Sequence, residues 1–429
     1  MTGLITWIAV AVFVATYILL ATDLLHKTVV TMIGAAFFLF LHILDSKEAY
    51  SLIDWNVIFL LIGMMIIVGI TRRSGLFQYV AIKAAKFARG EPIRILILLS
   101  LITALFSAFL DNVTTILIIA PVTILIAVEL DITPLPFLIC NAIASNIGGT
   151  ATLIGDPPNI IIGSAARLSF VDFLANLAPV VAILLAAFSL FSLLVFRGQM
   201  KVSATRKARI MSFDERRAIE NKPLLVQSLV VLALVLAGFL LHDALGVEVS
   251  VVALSGAFIL TGITERHEVE NVFLEIEWAT LFFFIGLFIL VGGLVKLGII
   301  KLLARYLLSL TGGNLKSTAT VVIWISGLFS AFVDNIPYVA TMTPLIQDVG
   351  SSFGVEAVRP LWWALSLGAC LGGNGTLVGA SANVVSAGLA QKNGYRITFM
   401  EFTKYGALFT VISLAASSAY VWLRYFISG

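Results

Sequence analysis

Charge is what this chain has least of. Asp, Glu, Lys and Arg make up 12% of its 429 residues, against about 25% in soluble domains. Only two cysteines occur, Cys140 and Cys370, both in apolar sequence, so neither a disulfide framework nor a zinc site is expected. The four histidines, His26, His42, His242 and His267, lie at or near the ends of apolar runs without metal-ligand spacing. That weighs against a metal site and against a catalytic histidine. No polar stretch is long enough for a soluble domain, and no basic patch points to nucleic acid.

What fills the chain instead is apolar sequence, 60% of residues, in runs of membrane-spanning length from end to end. The expectation is an all-α polytopic membrane protein with the lipid bilayer as its main partner. The first run, residues 4–20, has no basic leader or small-residue cleavage site and reads as a retained helix rather than a signal peptide. Further spans are expected at 29–44, 55–70, 175–196, 224–241, 249–262, 278–295 and 405–426. The one long polar segment, 197–222, carries eight basic and three acidic residues and reads as a linker.

One stretch occurs twice. Residues 105–121 and 328–344 agree at 8 of 17 positions at a shift of 223, and each copy sets an Asp-Asn pair, Asp111-Asn112 or Asp334-Asn335, within apolar sequence. Trp55 and Trp278, Gly63 and Gly286, Gly69 and Gly292, and Gly75 and Gly298 match at the same shift. At a shift of 224, Gly148, Gly149, Thr152, Leu153, Gly155 and Asn159 meet identical residues. This is an internal repeat. It divides the chain into a first repeat at 1–196, the linker at 197–222 and a second repeat at 223–429.

If each Asp-Asn segment is a re-entrant hairpin, each half crosses five times, and two consecutive odd-numbered halves must be inverted. With the linker cytoplasmic, both termini fall outside. Most of the 27 Lys and Arg, among them Lys27, Arg266 and the basics of residues 72–94, then fall inside. Full crossing by the Asp-Asn segments weakens that bias little, so charge alone leaves both topologies open. Arg72, Arg73, Lys83, Lys86 and Arg89 read as an interfacial anchoring face.

A carboxylate at membrane depth is costly and usually functional. Asp111 and Asp334 are therefore candidates for proton or cation coupling, with a helix cap as the alternative for each, and Asn112, Asn335, Thr114 and Thr115 supply neutral hydrogen-bonding groups. Thr114 and Thr115 have the alternative of bonding their own backbone. Residues 146–159 hold two prolines and several glycines, which break a helix where unwound backbone lines a cavity or is buried in protein. Candidates on this loop are Asn146, Gly149, Thr150, Thr152, Asp156 and Asn159. Their counterparts on the second are Asn374, Thr376 and Asn383. Asp156 aligns with Ala380, so this carboxylate belongs to one half only and is a candidate for asymmetric proton or cation coupling; an N-cap role is its alternative.

These motifs, 109–115, 146–159 and 332–337, resemble the ion transporter superfamily. The branch indicated joins arsenite-efflux permeases, sodium–proton antiporters and pink-eyed-dilution permeases, and the resemblance covers the whole chain. It implies a scaffold built from the early helices of each repeat. It also implies a transport domain of two hairpins and two broken helices, moving as an elevator, with the residues named above as the site. The implied function is secondary transport at the cytoplasmic membrane, driven by a proton or sodium gradient without a cofactor. Proton-coupled export of arsenite or antimonite is the leading substrate expectation, since a neutral trihydroxide suits a polar core without Lys or Arg. Sodium–proton antiport is the alternative, carboxylate or other anion transport a further one, and an intramembrane lipid enzyme the reading from another class. A cytoplasmic ATPase partner at the linker and a homodimer stay open.

Overall fold

The computed structural model describes residues 2–22, 24–264 and 269–427. Arg266 and His267 lie outside them. The first half runs through α1 (Thr2–Thr22), α2 (Lys27–Phe40), the short α3 (Ser46–Ser51), α4 (Trp55–Arg72) and α5 (Leu76–Phe87). It continues with α6 (Pro92–Ser107), α7 (Asn112–Glu129), α8 (Leu135–Gly149), α9 (Pro157–Ala166) and α10 (Phe170–Phe196). The linker forms α11 (Ala204–Met211). The second half replays the order as α12 (Lys222–Leu245), α13 (Val249–Thr264), α14 (Val269–Phe273), α15 (Trp278–Lys296) and α16 (Ile299–Leu310). It ends with α17 (Leu315–Ser330), α18 (Asn335–Phe353), α19 (Arg359–Gly372), α20 (Ser381–Lys392) and α21 (Phe399–Trp422).

No strand occurs among the described residues. Seven helices are long and apolar enough to cross a membrane, α1, α4, α7, α10, α12, α15 and α21, with five shorter apolar helices between them. Their apolar surfaces divide by location: α1 is almost entirely outward-facing, whereas two thirds of α4 is buried.

Polar contacts at the helix ends sort the molecule into two faces. Arg72 and Arg73 grip Glu275 at 2.7 and 2.9 Å, and the Glu220 amide donates to the Ser74 carbonyl at 3.2 Å. These ends share the linker's face. At the other face Lys296 pairs with Glu48 at 2.6 Å, the Asn56 amide donates to Glu248 at 3.3 Å, and Tyr420 donates to the Asn176 carbonyl at 2.7 Å. The last turn of α21 therefore lies opposite the linker. The basic residues expected to anchor in the headgroups are in part ion-paired instead: Arg72 and Arg73 tie the two halves together, and Lys86 reaches the linker.

The hairpins enter from opposite faces. The open ends of α6 and α7 meet the linker through Lys207–Glu91 and Arg206–Asp131. The chain beyond α18 meets the other face through Arg359–Asp172 at 3.6 Å. Each hairpin turns inside the molecule at 108–111 or 331–334.

Lys86 donates to Glu215 at 2.5 Å and to the Phe213 carbonyl at 2.9 Å, and the Lys86 bond holds the Glu215 carboxyl below its ordinary 4.5. A lowered carboxyl stabilises the docked linker above the unfolded-state value, and that contribution is lost as pH falls through the folded-state value. Linker protection from proteolysis should thus stay flat from neutral pH downward and fall only below pH about 4.5. Glu215→Gln should remove that step. The effect is small, because the pair is solvent-screened.

Candidate functional site

Each hairpin tip is built by an aspartate. Asp111 has extended backbone and accepts the Thr114 amide N–H at 2.8 Å, starting α7. Asp334 accepts the Ile336 amide at 3.2 Å and starts α18. Side-chain caps of this kind satisfy helix N–H groups that have no partner in the helix.

Opposite each tip stands a broken helix. The α8 helix stops at Gly149 and resumes as α9 at Pro157; α19 stops at Gly372 and, after a single 3-10 turn, resumes as α20 at Ser381. The unwound carbonyls are claimed by asparagines. Asn159 Nδ2 donates to the carbonyls of Gly149, Thr150 and Thr152 at 3.4, 3.2 and 2.8 Å. Asn383 Nδ2 donates to those of Gly373 and Thr376 at 2.8 and 3.0 Å. Thr152 and Thr376 donate their hydroxyls to the Ala108 and Ala331 carbonyls, pinning each loop to its hairpin tip. Buried backbone groups are thereby paired, as burial demands. A methyl group at Gly149 would stand 2.6 Å from the Gly155 carbonyl oxygen, so the loop closes on itself only because glycine is there.

The two halves join through amides. Asn146 Nδ2 donates to Asn374 Oδ1 at 2.8 Å and Asn383 Oδ1 at 3.1 Å, while Asn146 Oδ1 accepts from Asn112 at 3.0 Å. Asp156 lies between the tips: Asn112 donates to it at 3.4 Å and Asn335 at 3.3 Å. Its exposure is 0%. Although Asp156 precedes α9, its side chain makes no cap hydrogen bond, so the capping alternative does not hold.

A cavity of about 40 Å³ is lined by Asp111, Asn112, Asp156, Glu277, Asn335 and Lys27, among others. Next to it a vestibule of about 320 Å³ shares Lys27, Val113, Glu277, Thr280 and Ser381. The ammonium of Lys27 is 3.3 Å from Asp334 Oδ2 and 2.9 Å from Ser381 Oγ, and Ser381 donates to Asp334 at 2.7 Å. This corrects the expectation of a polar core without Lys or Arg. Lys27 opens α2 at the linker face, yet the second hairpin descends far enough to meet it.

Of the fifteen sequence candidates, Asp111, Asn112, Asp156 and Asn335 line the small cavity and Asp334 the vestibule. Asn146, Gly149, Thr152, Asn159, Asn374, Thr376 and Asn383 build the frame behind them. The Thr150 hydroxyl donates to the Asn146 carbonyl of its own helix at 2.7 Å. Thr114 gives its backbone N–H to Asp111, and Thr115 is buried with its hydroxyl unpartnered. Lys27, Glu277, Thr280 and Ser381 were missed. Ser381 faces Pro157 and Lys27 faces Ser250 when the halves are superposed in sequence, and such breaks in the repeat were the available signal. Among the described residues no three His, Cys, Asp or Glu side chains are placed to hold a metal ion.

An all-helical chain of spanning helices, with two hairpins from opposite faces and broken helices meeting at a buried polar centre, is a polytopic membrane transporter in architecture. A family model described as citrate transporter matches residues 17–368, and the chain belongs to that family, CitMHS. An uncharacterized transporter of Mycobacterium bovis is 49% identical, the match covering 98% of this chain and 99% of the relative. The human P protein is 32% identical over 98% of this chain and 60% of its own length. The solved structure of the Alcanivorax borkumensis YdaH transporter matches with a TM-score of 0.64 at 13% identity, covering 90% of each chain, which shows a shared fold.

Proposed function

We propose that the protein is a secondary transporter of a small carboxylate-bearing anion, coupled to protons or sodium through Asp156 and the hairpin aspartates. The observation that carries this reading is Lys27 in the vestibule beside the N-termini of α7, α9, α18 and α20. A helix N-terminus favours negative charge, and the ammonium adds a full positive charge. Asp111, Asp156, Asp334 and Glu277 outweigh these, so an anion enters favourably only together with protons or a cation. That charge balance makes coupling a requirement of the site. The citrate named by the family description is of the matching chemical class.

Export of arsenite or antimonite drew its physical support from a core without cations, and Lys27 removes that support. Sodium–proton antiport stands as the second reading, favoured by four carboxylates around one ammonium. In either case α2, α4, α13 and α15 form the scaffold, the hairpins with the broken helices move as an elevator, and the linker faces the cytoplasm.

Purified protein in liposomes tests these readings together. Radiolabelled citrate should accumulate when a proton or sodium gradient is imposed, and Lys27→Ala should lower accumulation by more than about tenfold, the loss of roughly one charge-assisted pair. Sodium-driven proton flux without citrate, malate or succinate uptake would instead select antiport. Arsenite flux in the same vesicles would restore the first expectation.

A further inference from the structure

The two vestibules of this molecule are repeat counterparts, but only one can be latched. On the face opposite the linker a cavity of about 660 Å³ is lined by Leu60, Ile160, Asp243, Val249 and Ser250, among others. At the shifts of 223 and 224 these residues answer Phe283, Val384, Leu20, His26 and Lys27 of the linker-face vestibule. An operation that exchanges inverted halves also exchanges faces. A contact between residues of the two halves here therefore has its counterpart, between their repeat partners, in the state open to the other face.

Applied to the polar contacts by which α1 and α2 hold the second hairpin, the exchange leaves no ion pair and no phenol hydrogen bond, and at most one serine hydroxyl. Lys27 on Asp334 becomes Ser250 beside Asp111. Tyr17, which donates to the Pro337 carbonyl at 2.6 Å and lies 2.5 Å from the Thr341 hydroxyl, becomes Leu240, facing Thr114 and Ile118. An ion pair and a phenol hydrogen bond are replaced by groups that form neither.

We propose that Lys27, aided by Tyr17, is a solute-released latch that holds the protein open to the linker face, and that it is also the group that binds the solute carboxylate. With the vestibule empty, the ammonium grips Asp334 and Ser381 across the boundary between scaffold and hairpin. An arriving carboxylate takes the ammonium, Asp334 is left to hold the coupling proton or cation, and the hairpin is free to move. No matching restraint exists on the far side, so the empty carrier returns to the linker face. The solute step rests on the carboxylate reading above; the latch itself rests only on the broken symmetry of the two gates.

Site-directed labelling separates the two. Cys140 and Cys370 are both buried, so single cysteines introduced as Val384→Cys in the linker-face vestibule and at its repeat counterpart, Ile160→Cys, in the opposite one report the two states to a membrane-impermeant maleimide. Val384 is 43% exposed here and Ile160 4%, so in the parent Val384→Cys should label quickly and Ile160→Cys slowly. Lys27→Ala should slow the first and speed the second by about fivefold, the weight of one partly exposed ion pair, and Lys27→Arg should restore the parent pattern. The exchange Lys27→Ser with Ser250→Lys should invert the preference by moving the ion pair onto Asp111. Unchanged labelling in Lys27→Ala overturns the latch, and so does a Lys27→Ala shift that the exchange fails to invert. Citrate added to the parent should reproduce the Lys27→Ala pattern and have no further effect on that variant. If the variants behave as expected but citrate does nothing, the latch stands and the carboxylate reading falls.

Discussion

Asp156→Asn is expected to abolish accumulation of solute against its gradient while leaving solute-for-solute exchange in place. The carboxylate is fully buried; the amides of Asn112 and Asn335 reach it at 3.3 to 3.4 Å, and the neutral Cys370 thiol lies against it. Among the described residues no cationic side chain forms an ion pair with it. A buried charge so poorly compensated is costly, and a bound proton or cation is what offsets the cost. Asparagine keeps the shape and removes the charge. Losing one partner of a buried charge pair costs about 3 kcal/mol or more, which is over a hundredfold in cation affinity. Exchange needs the site to carry solute in both directions without discharging the cation, so it should survive. Net uptake needs the cation to load and unload on each cycle, so it should not. The measurement is gradient-driven uptake against counterflow in the same liposomes. Accumulation above about a tenth of the parent level, an order of magnitude in ΔG terms of 1.4 kcal/mol, would remove Asp156 from the coupling site. Folding should be unaffected, since the variant no longer buries a charge.

The asymmetry of Asp156 was legible in the sequence, and the reason is instructive. An internal repeat gives every residue a control in the same chain, so Asp156 against Ala380 stands out without any other sequence to compare. The repeat also located the hairpin tips, because an Asp-Asn pair in apolar sequence has no solvent-facing explanation twice over. The helix breaks followed from proline and glycine chemistry. What the sequence could not convey is how far each tip descends. Lys27 starts a helix at the end of an apolar run, where a cation ordinarily snorkels to the interface. Only the second hairpin, 307 residues away, turns it into a site residue. Glu277 was hidden in the same way beside Trp278. Nor could sequence separate asparagines that face the cavity from those that face backbone: Asn112 and Asn159 look alike until the unwound carbonyls around Asn159 are counted.

The second large effect belongs to a glycine that touches no solute. Gly155→Ala is expected to prevent the first half from folding around its broken helix. A methyl group there would lie 2.6 Å from both the Gly149 and Ser107 carbonyl oxygens. Both contacts are backbone, one on the loop and one on the hairpin, so neither can rotate away as a side chain would. Forcing one carbon into a packed interior costs about 1–3 kcal/mol when side chains can yield, and here they cannot. Relief requires the loop to part from the tip, which breaks the Thr152 bond to the Ala108 carbonyl and the Gly155 amide bond to Thr152, 3.1 Å long. Those donors and acceptors are buried, and each left unpaired adds about 1–3 kcal/mol. Gly379→Ala should behave the same way, since its added carbon would stand 2.7 Å from the Gly373 carbonyl and 2.8 Å from that of Ser330. Gly388→Ala is the control: its position in α20 has nothing within 4 Å, and alanine gains up to about 1 kcal/mol over glycine in a helix. Monodisperse yield in detergent and thermal stability should therefore collapse for Gly155→Ala and Gly379→Ala, and hold or rise for Gly388→Ala. Equal behaviour of all three would mean that the broken helices are not clamped to the hairpin tips, and the frame that presents Asp156 would have to be held by something else.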